Sequence, residues 1–142
     1  MRWPRWQWAP DGSKRLLTTS WDNVLRVYAP TGASSKAKAS GKKESTAAAA
    51  GWHESVRVRH NCNTGQYLVP FRAQFSPAGD GIMCGALRKN FMLWDAASAA
   101  CVGSYDSALL SAVPSRCAFH PCMPHIAGAT GSGRVHIFAS GE

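Results

Sequence analysis

The run Arg59-His60-Asn61-Cys62-Asn63-Thr64-Gly65-Gln66-Tyr67-Leu68 concentrates polar chemistry in one short stretch. It offers a permanent cation, an imidazole that titrates near neutrality, three carboxamides, a hydroxyl and a phenol ring. Gly65 sits where the backbone can take positive φ. Cations suit phosphates, carboxamides suit phosphate or base edges, and aromatic faces stack on bases, so this is a composition a nucleic-acid surface needs. A second reading stays open, in which Asn61 and Asn63 build turns and Tyr67 fills a seam between packed elements. Catalytic sets do not form elsewhere. No Ser/His/Asp arrangement, phosphate-cradling glycine loop or paired carboxylate stands at a usable spacing. Asp11, Asp22, Asp80, Asp95 and Asp106 fall in separate turns, where capping explains each. His120, Cys122 and His125 crowd one segment with Cys117 nearby, but structural zinc wants four ligands at spacings such as CxxC, and two prolines stiffen the stretch. The chain is read as non-catalytic, with no metal and no cofactor.

The charge points the same way. Lys and Arg total 16 against 8 Asp and Glu, a net charge of +8 over 142 residues. Such an excess favours polyanionic partners, nucleic acid foremost, although basic domains are often simply soluble. Five cysteines, at 62, 84, 101, 117 and 122, make an odd number with no CxxC pair. Most lie inside apolar strand patterns, which suits reduced, packed thiols of an intracellular protein. No apolar stretch reaches membrane-spanning length, and Met1-Arg2-Trp3-Pro4-Arg5 does not read as a signal peptide, so no membrane partner is expected.

The elements that must hold the loop come from a repeat. An aromatic-x-Pro triplet occurs at Trp8-Ala9-Pro10, Phe75-Ser76-Pro77 and Phe119-His120-Pro121, and each is followed by a short apolar run closed by Tyr28, Trp94 or Phe138. The second and third copies are 44 residues apart and the first and second 67, most of the excess being one low-complexity insert. A period of about 40–45 residues with four short strands per unit is the pattern of a WD-type β-propeller blade. Strands are read at 5–8, 16–20, 24–28, 54–58, 71–75, 82–86, 91–94, 115–119, 126–129 and 135–138, several apolar on both sides as in stacked sheets. The fold class is all-β, a partial WD-repeat propeller of about three four-stranded blades. Residues 1–68 form the first blade with a disordered insert at 30–51, 69–112 the second, and 113–142 a third, incomplete blade. Three blades are fewer than the roughly four to eight that close a propeller, so the chain is expected to be the C-terminal part of a larger one. Within the insert, Lys36, Lys38, Lys42 and Lys43 suit either a phosphate backbone, a nuclear-import signal or plain solvation.

In a propeller, the link from a fourth strand to the next blade emerges on the same rim as the turns between second and third strands. Trp21-Asp22-Asn23, Arg88-Lys89-Asn90 and Gly131-Ser132-Gly133-Arg134 should therefore share one face with residues 59–67. The expected nucleic-acid-binding patch is Trp21, Arg59, His60, Asn61, Asn63, Thr64, Gln66, Tyr67, Arg88, Lys89 and Arg134.

The loop from Arg59 to Leu68, followed by Pro70-Phe71-Arg72-Ala73-Gln74-Phe75, resembles the WD-repeat DNA damage-binding family, whose loop runs Arg-His-Asn-x-x-Thr-Gly-x-aromatic-Leu. The flanking stretches 16–28 and 113–121 also match. The resemblance covers nearly the whole chain outside the insert. It implies a nuclear propeller that binds double-stranded DNA, prefers UV-damaged DNA and acts in the DNA damage response and DNA repair. In a more distant damage-specific propeller of this kind a hairpin enters the damaged duplex here, and Gln66-Tyr67 stands in the wedge position. Unstacking a lesion costs less than unstacking intact duplex, which could turn deformability into selectivity. The alternative is an interaction scaffold holding a histone-like peptide or the adaptor of a cullin-type ubiquitin ligase. Ligase-docking propellers often carry Trp-Asp-x-Arg after the third strand. This chain has Trp94-Asp95-Ala96-Ala97, so that docking is unsupported in this stretch.

Overall fold

Short β-branched and aromatic runs punctuated by Pro, Asp and Gly favour strands joined by tight turns. The computed structural model of the chain describes residues 5–31, 51–65 and 69–139. Eleven strands occur in these residues: β1 Arg5–Trp8, β2 Leu16–Thr19, β3 Val24–Pro30, β4 Trp52–Arg59, β5 Gln74–Phe75, β6 Gly81–Ala86, β7 Asn90–Asp95, β8 Cys101–Tyr105, β9 Pro114–Phe119, β10 His125–Thr130 and β11 Val135–Ala139. They form antiparallel meanders: a four-stranded first sheet β1-β2-β3-β4, a four-stranded second sheet β5-β6-β7-β8, and a third with described strands β9-β10-β11.

The sheets stack face to face. Leu17, Leu25, Val27, Val56 and Val58 of the first sheet meet Phe75, Ile82, Cys84 and Trp94 of the second. On the second sheet's other face, Met83 and Phe91 meet Cys117, Ile126 and Phe138 of the third. Strand β6 is accordingly buried from Ile82 to Ala86, as a strand covered on both sides must be. Burying each such Leu, Ile or Phe contributes roughly 1.5–3 kcal/mol. At the two ends of the stack, Trp6 and Trp8 of β1 and Val135 and Ile137 of β11 remain more than half exposed.

The first strands of the sheets converge. Gln7 Oε1 accepts from Phe75 N at 2.9 Å, Thr19 Oγ1 accepts from Ala73 N at 3.0 Å, and Cys117 Sγ lies 3.7 Å from Arg72 O. These bonds explain the strand that falls furthest short of expectation. Only 74–75 of the run 71–75 pairs within its own sheet, because backbone donors there are satisfied by side chains of the neighbouring sheet. Strands β3 and β4 instead run further than expected. Pro30 pairs with Trp52, and Thr31 N donates to Gly51 O, closing the base of the hairpin. The central part of the low-complexity insert, 32–50, lies outside the described residues.

Candidate nucleic-acid interface

Strand direction sets the rim. Val24 pairs with Arg59 at one end of the β3–β4 ladder and Pro30 with Trp52 at the other, so Asn23 and His60 are neighbours. The base of the insert emerges at the opposite edge of that sheet. Asn23 organises the loop. At φ 62° it turns back so that its carbonyl accepts from His60 N at 3.0 Å and its Oδ1 from Cys62 N at 2.9 Å. Asn tolerates this left-handed conformation better than most residues. Sequence reasoning passed over Asn23 as a site residue, although Asp-Asn just before a strand is a turn signal. Beyond it, Asn61 Oδ1 accepts from Asn63 N and Asn63 Oδ1 from Gly65 N, two successive side-chain turns, and Gly65 takes the expected positive φ of 65°. Both asparagines therefore build turns, while remaining exposed.

His60 also serves the fold. Its Nε2 lies 2.7 Å from the carbonyl of Gly85 in β6, which can only accept, so the ring carries its proton on Nε2. The imidazole packs edge-on against Trp94 at 4.9 Å and beside Phe71 at 5.9 Å. Burial lowers its pKa, with the Gly85 carbonyl acting in the opposite sense. His60 is thus a neutral bolt between first and second sheets, its Nε2 already committed. Thr64 is also buried and turns away from an outside ligand. Gln66, Tyr67 and Leu68 lie outside the described residues.

The same bolt brings the second hairpin onto the rim. Gly85 is followed at once by the turn 87–89, in which Lys89 N donates to Ala86 O and Lys89 adopts φ 61°. This is a three-residue hairpin loop ending in a left-handed residue. The third sheet repeats it: Gly133 N donates to Thr130 O, with Gly133 at φ 84°. Pro114 O lies so near Gly85 that a Cβ there would be 1.8 Å away, and Arg134 Nη1 donates to Ser111 Oγ at 3.0 Å. All the expected turns therefore stand on one edge. Trp21, Arg59, Asn61, Asn63, Arg88, Lys89 and Arg134 are exposed there.

Charge on this rim is uneven. Asp22 is taken by Arg26, whose hydrogen bond lowers the carboxyl pKa, while Asp106, next to Tyr105 at the rim end of β8, is exposed and forms no ion pair among the described residues. Among the described residues no carboxylate pairs with Arg59, Arg88, Lys89 or Arg134. A concavity of about 490 Å³ opens beside Arg59, lined also by Asp22, Asn23, Arg57, His60 and Asn61. Around the opposite turn, His120 Nδ1 accepts from Cys122 N and Met123 N, so this histidine closes a backbone turn.

Three antiparallel meanders fanned about converging first strands are blades of a β-propeller, and the chain is an all-β segment of that WD-type fold. It superposes on the β-propeller domain of Cps50 (Swd1) from Myceliophteria thermophila with a TM-score of 0.69, covering 96% of this chain and 38% of that one at 14% identity. No protein-family model matches the chain. Individual proteins do. It is 33% identical over 141 residues to DNA damage-binding protein CMR1 of Cryptococcus neoformans, 34% identical over 85 residues to DNA damage-binding protein CMR1 of Yarrowia lipolytica, and 28% identical over 133 residues to WD repeat-containing protein 76 of Xenopus laevis. These alignments cover 95%, 58% and 92% of the chain but only 23%, 16% and 20% of the relatives. The chain is similar, along most of its length, to the WD-repeat DNA damage-binding family.

Proposed function

We propose that this chain contributes a DNA-binding rim to a non-catalytic WD-repeat propeller acting in the DNA damage response of the nucleus. The observation that carries the reading is the gathering of Arg59, Arg88, Lys89 and Arg134 on one edge, each without a carboxylate partner among the described residues. Cations displayed without counter-charges suit a phosphate backbone, whose neutralisation releases condensed counterions. The carboxamide nitrogens of Asn61 and Asn63 remain available as donors, because their turn bonds use only the oxygens. The names of the relatives support the same partner.

Selectivity for damaged duplex falls to Gln66 and Tyr67 in this reading, with the phenol ring stacking where a lesion weakens the helix. The test compares affinities for one duplex with and without a UV photoproduct. Wild type is expected to favour the lesion, and Tyr67→Ala to lose most of that ratio while keeping its affinity for intact DNA. An unchanged ratio in Tyr67→Ala removes the wedge. Failure of wild type to bind either duplex at low salt removes the DNA-binding reading itself.

A further inference from the structure

Arg5, Arg72 and Arg116 are separated by 67 and 44 residues, the same offsets as the repeated aromatics Trp8, Phe75 and Phe119. Each stands three positions before its aromatic, in or just ahead of the first strand of its sheet. Because those strands converge, Arg5 and Arg72 come close in the backbone: Arg5 pairs with Thr19, whose Oγ1 accepts from Ala73 N, the residue after Arg72. Arg116 Nη1 reaches back to Pro70 O at 2.5 Å, two residues before Arg72. Desolvation, then the fields of Arg5 and Arg72, lowers the pKa of Arg116. Among the described residues none of the three has an acidic partner. Like charges gathered without a counter-charge oppose folding, so three at equivalent positions call for an anion. Their end of the first strands is the rim end: Arg5 pairs with Thr19, immediately before the turn that carries Trp21 and Asn23.

We propose that Arg5, Arg72 and Arg116 form a second phosphate-binding element, a guanidinium row along the converging sheet edges that extends the rim's DNA contact inward. This inference rests on the DNA-binding reading. Guanidiniums suit it, since their planar fork takes phosphate oxygens in pairs.

The test is a titration of duplex DNA over a range of salt concentrations with wild type and the double variant Arg5→Gln/Arg72→Gln. Arg116 is spared there because it holds Pro70 O. The double variant is expected to fold with undiminished thermal stability, since repulsion is relieved. Its slope of log Kd against log salt should fall by about 1.8, roughly 0.9 for each phosphate no longer neutralised. Arg72→Lys, which keeps the charge, should leave the slope within about 0.3 of wild type. A steep wild-type slope that the double variant leaves intact overturns the row while the DNA-binding reading stands. A wild type without salt-dependent DNA binding overturns both. Loss of polyglutamate binding in the double variant, with DNA binding unaltered, also overturns the row by assigning it to an acidic peptide.

Discussion

His60 and Lys89 show how one rim divides its residues between holding the fold and facing solvent. The imidazole commits its Nε2 proton to the Gly85 carbonyl and its ring to Phe71 and Trp94, which leaves it a structural part. Its folded pKa lies below the ordinary 6.5, so the unfolded chain takes up a proton that the folded chain resists. Stability is then greatest above the unfolded pKa and declines as pH falls below it. Thermal melts from about pH 7.5 to about pH 5.5 should show wild type losing more stability than His60→Gln loses over the same interval. Equal losses in the two proteins would mean that the ring is not held neutral by the fold. Lys89 is the opposite case. A lysine at φ 61° carries a conformational cost of order 1–3 kcal/mol, against about 0.4–1 kcal/mol that a glycine loses through greater unfolded-chain entropy. Lys89→Gly should accordingly fold at least as stably as wild type in a denaturant titration, yet bind DNA more weakly. If instead it lowers stability, Lys89 serves the turn and not a ligand. The loop's chemistry was legible from residue types alone, but its division of labour was not. Nothing in the string Arg-His-Asn distinguishes an outward cation from an inward imidazole until a carbonyl two strands away is in place.

At the scale of elements, the hairpins and strands follow local chemistry closely. Pro-x-Gly turns, alternating apolar runs and the aromatic closures mark strands that the sheets contain, including the described strands of the third meander. The departures have non-local causes. Residues 71–73 leave the ladder where Thr19 and Cys117, from other sheets, meet Ala73 N and Arg72 O, partners that are distant in sequence. Glycines mark where sheets touch. A Cβ on Gly85 would meet the Pro114 carbonyl at 1.8 Å, a backbone obstacle that cannot swing aside, and Gly85 O also receives His60. Gly85→Ala should cost at least the roughly 1–3 kcal/mol typical of overpacking, measured by chemical denaturation. Gly103 in β8 has open space around its missing Cβ, so Gly103→Ala should change stability by less than about 0.5 kcal/mol or raise it slightly. Comparable losses in both variants would contradict the idea that the three sheets are joined at Gly85.

For the whole molecule, the repeat period alone predicts blades, and the sheets stack as blades do. The common rim of the four turns also follows from propeller connectivity before any coordinates. The guanidinium row does not. Arginines 67 and 44 residues apart acquire meaning only when first strands converge, and their placement three residues before each aromatic was the signal that could have revealed them. Together the rim and the row give the segment an edge rich in cations, on which Asp22 is paired with Arg26 and Asp106 is exposed without an ion pair among the described residues. The most direct test of that edge as a DNA surface is the salt dependence of duplex binding by wild type and Arg59→Gln/Lys89→Gln, followed by fluorescence anisotropy. The double variant should weaken binding to every duplex sequence alike and reduce the slope of log Kd against log salt by about 1.8. A slope identical to that of wild type would place DNA somewhere other than this rim.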